Sequence, residues 1–290
     1  MPEESYTLSA EAAEFYESTF VPALFADWAG RIVEAAGVAP GESVLDVACG
    51  TGVVARAAAD RLAQSGDGLS GRVEGLSGRV EGLSGRVDSV GPSGVVVGLD
   101  VNDAMLAVAR RLRPDLRWQL GSADSLPFGD GSFDVVLSQA ALMFFDDRVA
   151  ALREMGRVAG VNGRVAVQVP GRLAGSPGYL ALTQSVARHA GPDVVGLLGA
   201  YFDVGEPDLL AGIFDAAGLH IDRFETWLGA TRLSSIGTFL AVELLPLADR
   251  VDQAVRDKII DDCHTTLAPF IDPTGAIAAP IEVHLITAHP

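Results

Sequence analysis

The run Asp46-Val47-Ala48-Cys49-Gly50-Thr51-Gly52 directly follows the apolar Val44-Leu45 and leads into a helix-compatible stretch at residues 53–63. Small residues thus alternate where a strand hands over to a helix, and this constrains the fold more than any other segment. Gly50 and Gly52 can take positive φ and leave room for a ligand against the main chain. The free N–H groups opening the next helix favour an anionic group such as a carboxylate or phosphate. The same residues would also serve in a plain tight turn.

A dinucleotide fingerprint, G-x-G-x-x-G, is incomplete here, because its third glycine position holds Ala55 and the preceding small position holds Ala48. The loop instead resembles the first motif of the class I S-adenosylmethionine-dependent methyltransferases, D-x-G-x-G-x-G, with Ala48 for the first glycine. That departure adds a single methyl group. Val95-Val96-Val97-Gly98-Leu99-Asp100 reads as a buried parallel strand ending in an acid, placed to hydrogen-bond both ribose hydroxyls. Asn102 is a plausible cap for a helix at residues 104–112, with Met105 on its first turn facing an adenine.

A short strand at 116–120 precedes Ala123-Asp124-Ser125-Leu126-Pro127-Phe128 and Ser132-Phe133-Asp134, which resemble the family's A-D-x-L-P-F and S-F-D segments. The resemblance assigns Asp124 and its neighbours to the adenine edge, and Asp134 to the entry of the fourth strand. Arg153-Glu154-Met155, Arg157-Val158 and Gly163-Arg164-Val165-Ala166-Val167 resemble the helix and fifth strand that follow, with residues 159–162 departing in the turn. The likeness spans roughly residues 40–170. It implies an α/β fold: a Rossmann-like, doubly wound, mostly parallel seven-stranded sheet with a final antiparallel strand, plus helical caps at both ends. The implied cofactor is S-adenosylmethionine, held by Asp46, Ala48, Cys49, Gly50, Thr51, Gly52, Asp100, Val101, Met105, Ala123, Asp124, Ser125, Ser138 and Tyr16.

Length and charge narrow the partners. At 290 residues, one large domain with an elaborated substrate side is expected: a helical lid at 1–39, the cofactor core at 40–170, and a completed sheet with a helical cap at 171–290. A formal charge of −17 disfavours nucleic acid, which needs a basic surface. With no apolar run of about 18 residues and no signal-peptide pattern, stable membrane insertion is not expected and a cytoplasmic protein is. A homodimer stays open. Cys49 and Cys263 are too few for a disulfide framework, and the five histidines form no zinc pattern, so no metal is implied.

Residues 68–88 are three tandem heptads, beginning Gly68-Leu69-Ser70-Gly71-Arg72-Val73-Glu74. Reframed, the unit parallels Gly94 to Asp100, which suggests duplication of that strand's lead-in. Glu74, Glu81 and Asp88 would set a charge where Val97 sits in a strand buried on both faces, so the copies are expected to hang outside the sheet as a loop. The insertion also accounts for Asp100 lying 54 positions after Asp46, where about 20 is usual for such loops.

Residues 9–20 and 22–36 read as two helices broken at Pro22, with Tyr16 placed near the methionine end of the cofactor. Beyond the fifth strand, residues 178–190, 206–217, 235–245 and 248–267 are helix-like, 220–227 strand-like, and 281–288 the last, antiparallel strand. Methyl transfer chiefly needs alignment and exclusion of water, and a base only where the acceptor carries a proton. Gln139 and Ser138 lie where an acceptor could be oriented; Asp146, Asp147, His189 and His264 are further candidates for the base. Phe144, Phe145, Phe202 and Phe239 fit a small apolar acceptor, methylated on oxygen or carbon rather than nitrogen, as in family members that modify quinones, lipids and natural products (the domain 11 and 25 groups). Two alternatives stay open: a cofactor-binding enzyme of cyclase or isomerase type that transfers no methyl, and an NAD-dependent oxidoreductase.

Overall fold

A computed structural model describes residues 9–64, 94–247 and 250–290. The heptads at 68–88 lie outside the described residues. Five strands alternate with helices: β1 (Ser43–Val47), β2 (Val95–Asp100), β3 (Arg117–Leu120), β4 (Val135–Gln139) and β5 (Arg164–Pro170). All five run parallel. β6 (His220–Leu233) and β7 (Ile277–His289) complete one seven-stranded sheet in the order β3-β2-β1-β4-β5-β7-β6, with β7 antiparallel to both neighbours. The chain therefore reverses direction outward from β1, and the crevice between β1 and β4 is where such sheets bind ligands.

Strand alternation assigns the two faces. Leu45, Val47, Val97, Leu99 and Val136 face helices α5 (Arg148–Ala159) and α8 (Pro207–Ala217) through Leu152, Met155 and Phe214. Val44, Val96, Val135 and Leu137 face α2 (Ala26–Ala35) and α3 (Val53–Gln64) through Ile32, Val33, Ala55 and Ala58. Strands buried on both faces read as continuous apolar runs, which is why β1, β2 and β5 stand out in the sequence. α4 (Asp103–Leu112) starts at Asn102, whose Oδ1 accepts from the N–H groups of Ala104 and Met105 at 2.9 and 3.2 Å.

Two expectations about the ends are corrected. Pro22 does not break the N-terminal segment: α1 (Ala10–Phe15) runs through a π-helical stretch, Tyr16–Phe25, into α2. The wider turn accommodates the pyrrolidine ring that an α-helical register would force against the preceding turn. The β6 strand continues past Trp227 to Leu233, paired with Ile277–Glu282 of β7 beyond the end of β5. This hairpin arm carries a second core, made by Leu24, Phe25 and Trp28 with α6 (Pro177–Ala190), α7 (Pro192–Gly199), α9 (Ile236–Glu243) and α10 (Gln253–Thr266). Proline opens α6, α7 and α8, where a missing N–H costs nothing. Among the described residues, no helix is long and apolar enough to cross a membrane.

Candidate functional site

A cavity of about 550 Å³ lies at the carboxyl ends of β1, β2, β4 and β5, roofed by the N-terminal helices and closed at its far side by the cap. Among the described residues, only two non-glycines hold positive φ, Ala48 at 55° and Ala140 at 54°, and both line it. Such conformations cost about 1–3 kcal/mol each and gather at functional sites. Ala140 is held by its N–H, which donates to the Gln168 carbonyl at 2.7 Å.

On the β1–β2 side, the buried Asp100 carboxylate accepts from Gly50 N–H and Asn102 N–H, each at 2.8 Å. Burial pushes its carboxyl up, against the pull of those two donors. Ala48, Gly50, Val101 and Met105 complete this wall, and Tyr16 covers it: a Cβ on Gly50 would stand 3.7 Å from the Tyr16 ring, which stacks between Phe20 and Phe25. Arg56 ties roof to loop, donating to the Thr51 carbonyl at 2.7 Å and to Glu17 at 2.9 Å.

Other residues of the motif serve the loop from behind. Asp46 faces α3, where it accepts from Ala55 N–H at 2.8 Å; burial pushes its carboxyl up to about 8. The space beside Gly52 is taken by Trp118 of β3 and not by a ligand. At φ 86° its open side turns toward the sheet edge, and a Cβ there would stand 2.3 Å from the indole; at Gly98 the distance would be 2.4 Å. Cys49 and Thr51 are buried outside the cavity wall, and burial pushes the Cys49 thiol up, which leaves it a poor nucleophile.

Ala123, Asp124 and Ser125 do not reach the cavity: Ala123 is in the core against Leu126, and Asp124 and Ser125 face outward. Their loop is pinned by the Arg-Glu-x-x-Arg helix. Glu154 accepts from Leu126 N–H at 2.9 Å, while Arg157 donates to the carbonyls of Leu126 and Phe128 and to Asp130. Asp134 receives Ser43 N–H and Oγ–H at 2.8 and 2.7 Å, joining the starts of β1 and β4.

The residues considered as bases lie elsewhere. Asp146 is exposed, and Asp147 caps α5 through Ala150 N–H at 2.8 Å. His189 stands 3.3 Å from Asp262 on the outer cap, and His264 is exposed on α10. Gln139 donates to the Phe25 carbonyl at 3.1 Å and so anchors the roof, and Ser138 is buried beneath the cavity. The carboxylate that does face the cavity is Glu243, at the end of α9, 6% exposed. Its Oε1 accepts from Tyr179 Oη at 2.9 Å, which is 2.7 Å from Thr231 Oγ1. Burial pushes the Glu243 carboxyl up to about 7, and the Tyr201 hydroxyl beside it up to about 12. The signal in the sequence was the one charged residue in the largely apolar helix Ile-Gly-Thr-Phe-Leu-Ala-Val-Glu.

One chamber thus joins a buried carboxylate and loop backbone to an aromatic pocket with a second buried acid. Residues 82–167 match the family described as Methyltransferase domain. The match takes in β2 to the first half of β5 and begins after the β1 loop. The chain is 35% identical over 140 residues to a demethylmenaquinone methyltransferase of Beutenbergia cavernae, covering 48% of this chain and 45% of that protein. It is also 35% identical over 146 residues to the ubiquinone/menaquinone biosynthesis C-methyltransferase UbiE of Idiomarina loihiensis, covering 48% and 47%. The chain therefore spans about half the length of these curated relatives. Among solved structures, the [4+2]-cyclase SpnF superposes with a TM-score of 0.51 at 18% identity, over 91% of this chain and 80% of that one, a likeness of fold alone.

Proposed function

We propose that this chain is a class I S-adenosylmethionine-dependent methyltransferase that methylates a small apolar aromatic acceptor of the quinone class, on carbon or oxygen, a reading supported by the methyltransferase-domain match and the curated relatives. The observation that carries this reading is the single cavity in which Asp100 and the Ala48–Gly50 backbone share one space with the aromatic chamber of Tyr179 and Tyr201.

The residues present fit the cofactor. Asp100 is an acceptor-only group in a cavity that no Lys, Arg or His of the described residues lines, which suits a neutral diol such as the ribose hydroxyls. Met105 and Val101 offer an apolar surface for the base, and the loop backbone an approach for the amino-acid end. When bound, the cofactor supplies a methyl group already activated by its sulfonium. The protein's task is alignment and dryness: Tyr16, Phe20 and Phe25 exclude water from above, while Phe144 and Phe145 hold a flat acceptor by its faces. The relatives named above act, by their names, on menaquinone or ubiquinone precursors, and the aromatic lining supports the same class here.

Calorimetry with S-adenosylmethionine, S-adenosylhomocysteine and NAD tests the cofactor. The first two should bind and NAD should not, and Asp100→Asn should weaken both by about 100-fold, the worth of charge-assisted hydrogen bonds. Labelled methyl should then pass to hydroxylated or reduced naphthoquinones. Substrate conversion without S-adenosylhomocysteine release would instead assign cyclase-type chemistry, and unchanged cofactor affinity in Asp100→Asn would remove the reading.

A further inference from the structure

Glu243 has an environment that packing alone does not require. It ends a helix whose other buried members, Ile236, Phe239, Leu240 and Val242, are all apolar, and no cation among the described residues lines its chamber. A buried carboxylate is costly unless it is paired or hydrogen-bonded, and a glutamine or methionine would fill the same space. The hydroxyl chain beside it has one direction. Tyr179 has a single O–H, which it donates to Glu243 Oε1, so Thr231 must donate to Tyr179. The chain ends on an acceptor. It occupies one carboxylate oxygen, and the other, Oε2, has no hydrogen-bond partner among the described residues.

We propose that Glu243 is the catalytic base for a hydroxylated acceptor, with Tyr179 and Thr231 as positioning residues that hold Oε1 and aim Oε2 at the acceptor's O–H. This rests on the reading above and adds to it the class of acceptor, an aromatic or enolic hydroxyl compound. The step is a proton transfer: the acceptor's O–H bond breaks, its electron pair stays on oxygen and the proton goes to Oε2, so the negative charge moves from carboxylate to acceptor. The group is suited to this, since burial lifts its carboxyl to about 7, where proton affinity and the fraction ionised are both useful near neutral pH. The groups facing it are Tyr179 from α6, Tyr201 from the turn after α7 and Thr231 from β6; Asp100 and Tyr16 lie on the opposite wall of the cavity.

The test uses the whole chain without cofactor and reads binding. With 1-naphthol as probe, the wild-type affinity should rise about tenfold or more from pH 5.5 to 8.5 as Glu243 ionises and accepts the hydroxyl. 1-Methoxynaphthalene, which has no O–H, should show a flat profile, and so should 1-naphthol on Glu243→Gln. Tyr179→Phe removes a donor that favours the carboxylate, so it should move the midpoint to higher pH; a structural role for the pair would leave that midpoint alone. A flat wild-type profile, an equal rise for the methoxy compound, or an unmoved midpoint in Tyr179→Phe would overturn the proposal. S-adenosylmethionine affinity is measured on Glu243→Gln in parallel. Retained cofactor binding with an unchanged naphthol profile sinks this inference alone, whereas no cofactor binding even in wild type sinks the methyltransferase reading.

Discussion

The wall around Asp100 is made largely by main chain from two short runs, residues 48–50 and 100–105, whereas the wall around Glu243 is assembled from side chains on α6, β6 and α9 and the turn after α7. On the first side, the work is done by φ angles and N–H groups: Gly50 and Asn102 hold Asp100, Ala48 is strained, and Trp118 props the loop from below. On the second, a buried acid depends on hydroxyls that only the folded cap brings together. Backbone machinery imposes spacing and so leaves a motif. Side-chain machinery imposes only proximity in space and leaves almost none.

The contrast can be broken at the Trp118 prop. Gly52→Ala combines an unfavourable positive φ with a Cβ driven into the indole, and should cost about 4 kcal/mol by denaturant unfolding. A loss below about 1 kcal/mol would mean that the loop is not braced from behind.

A somewhat smaller effect sharpens the other side. The Glu243 carboxyl lies well above its usual value in the fold, so the stability it contributes is whole below about pH 4.5 and lost as pH rises through about 7. Between pH 5 and 8 the wild type should lose on the order of 3 kcal/mol relative to Glu243→Gln. Parallel curves for the two proteins would show that the acid is not desolvated. Asp46, raised in the same direction, falls in both proteins and cancels from the difference.

The smallest effect separates strain from chemistry on the loop itself. Ala48→Gly should relieve the left-handed alanine and stabilise the protein by about 1 kcal/mol or less, since glycine's extra chain entropy offsets part of the gain. Melting temperature reads it, and a destabilised variant would show that the methyl group is packed rather than merely tolerated.

The same contrast explains what could be read before the structure. The β1, β2, β4 and β5 strands and the capped α4 were legible, because two-faced burial writes continuous apolar runs and capping is local. Asp100 and the Ala48–Gly50 backbone were legible for the same reason. Pro22 misled, because a π-helical turn depends on how the roof packs over Gly50 and not on the local residues. The β6 extension was missed because its partner segment, Ile277–Glu282, is 44 or more residues away along the chain. Asp46, Gly52 and Asp124 belong to the motif, yet the structure uses them to hold the start of α3, seat Trp118 and end a pinned loop. Short-range sequence gives their presence but not the side of the loop they serve. The histidines drew attention for their chemistry alone, and the fold leaves His189 and His264 on the outer cap.

The helices α9 and α10 are enclosed between β6 and β7, two strands joined along nearly their whole length from His220–His289 to Leu233–Ile277. The cap is therefore joined to the sheet through one continuous ladder of hydrogen bonds. The roof, by contrast, is tied near its start by side-chain ion pairs, the exposed Glu14 with Arg111 and the largely buried Glu17 with Arg56. The two covers of the cavity are thus held by different means, the cap by main-chain pairing and the roof by side chains.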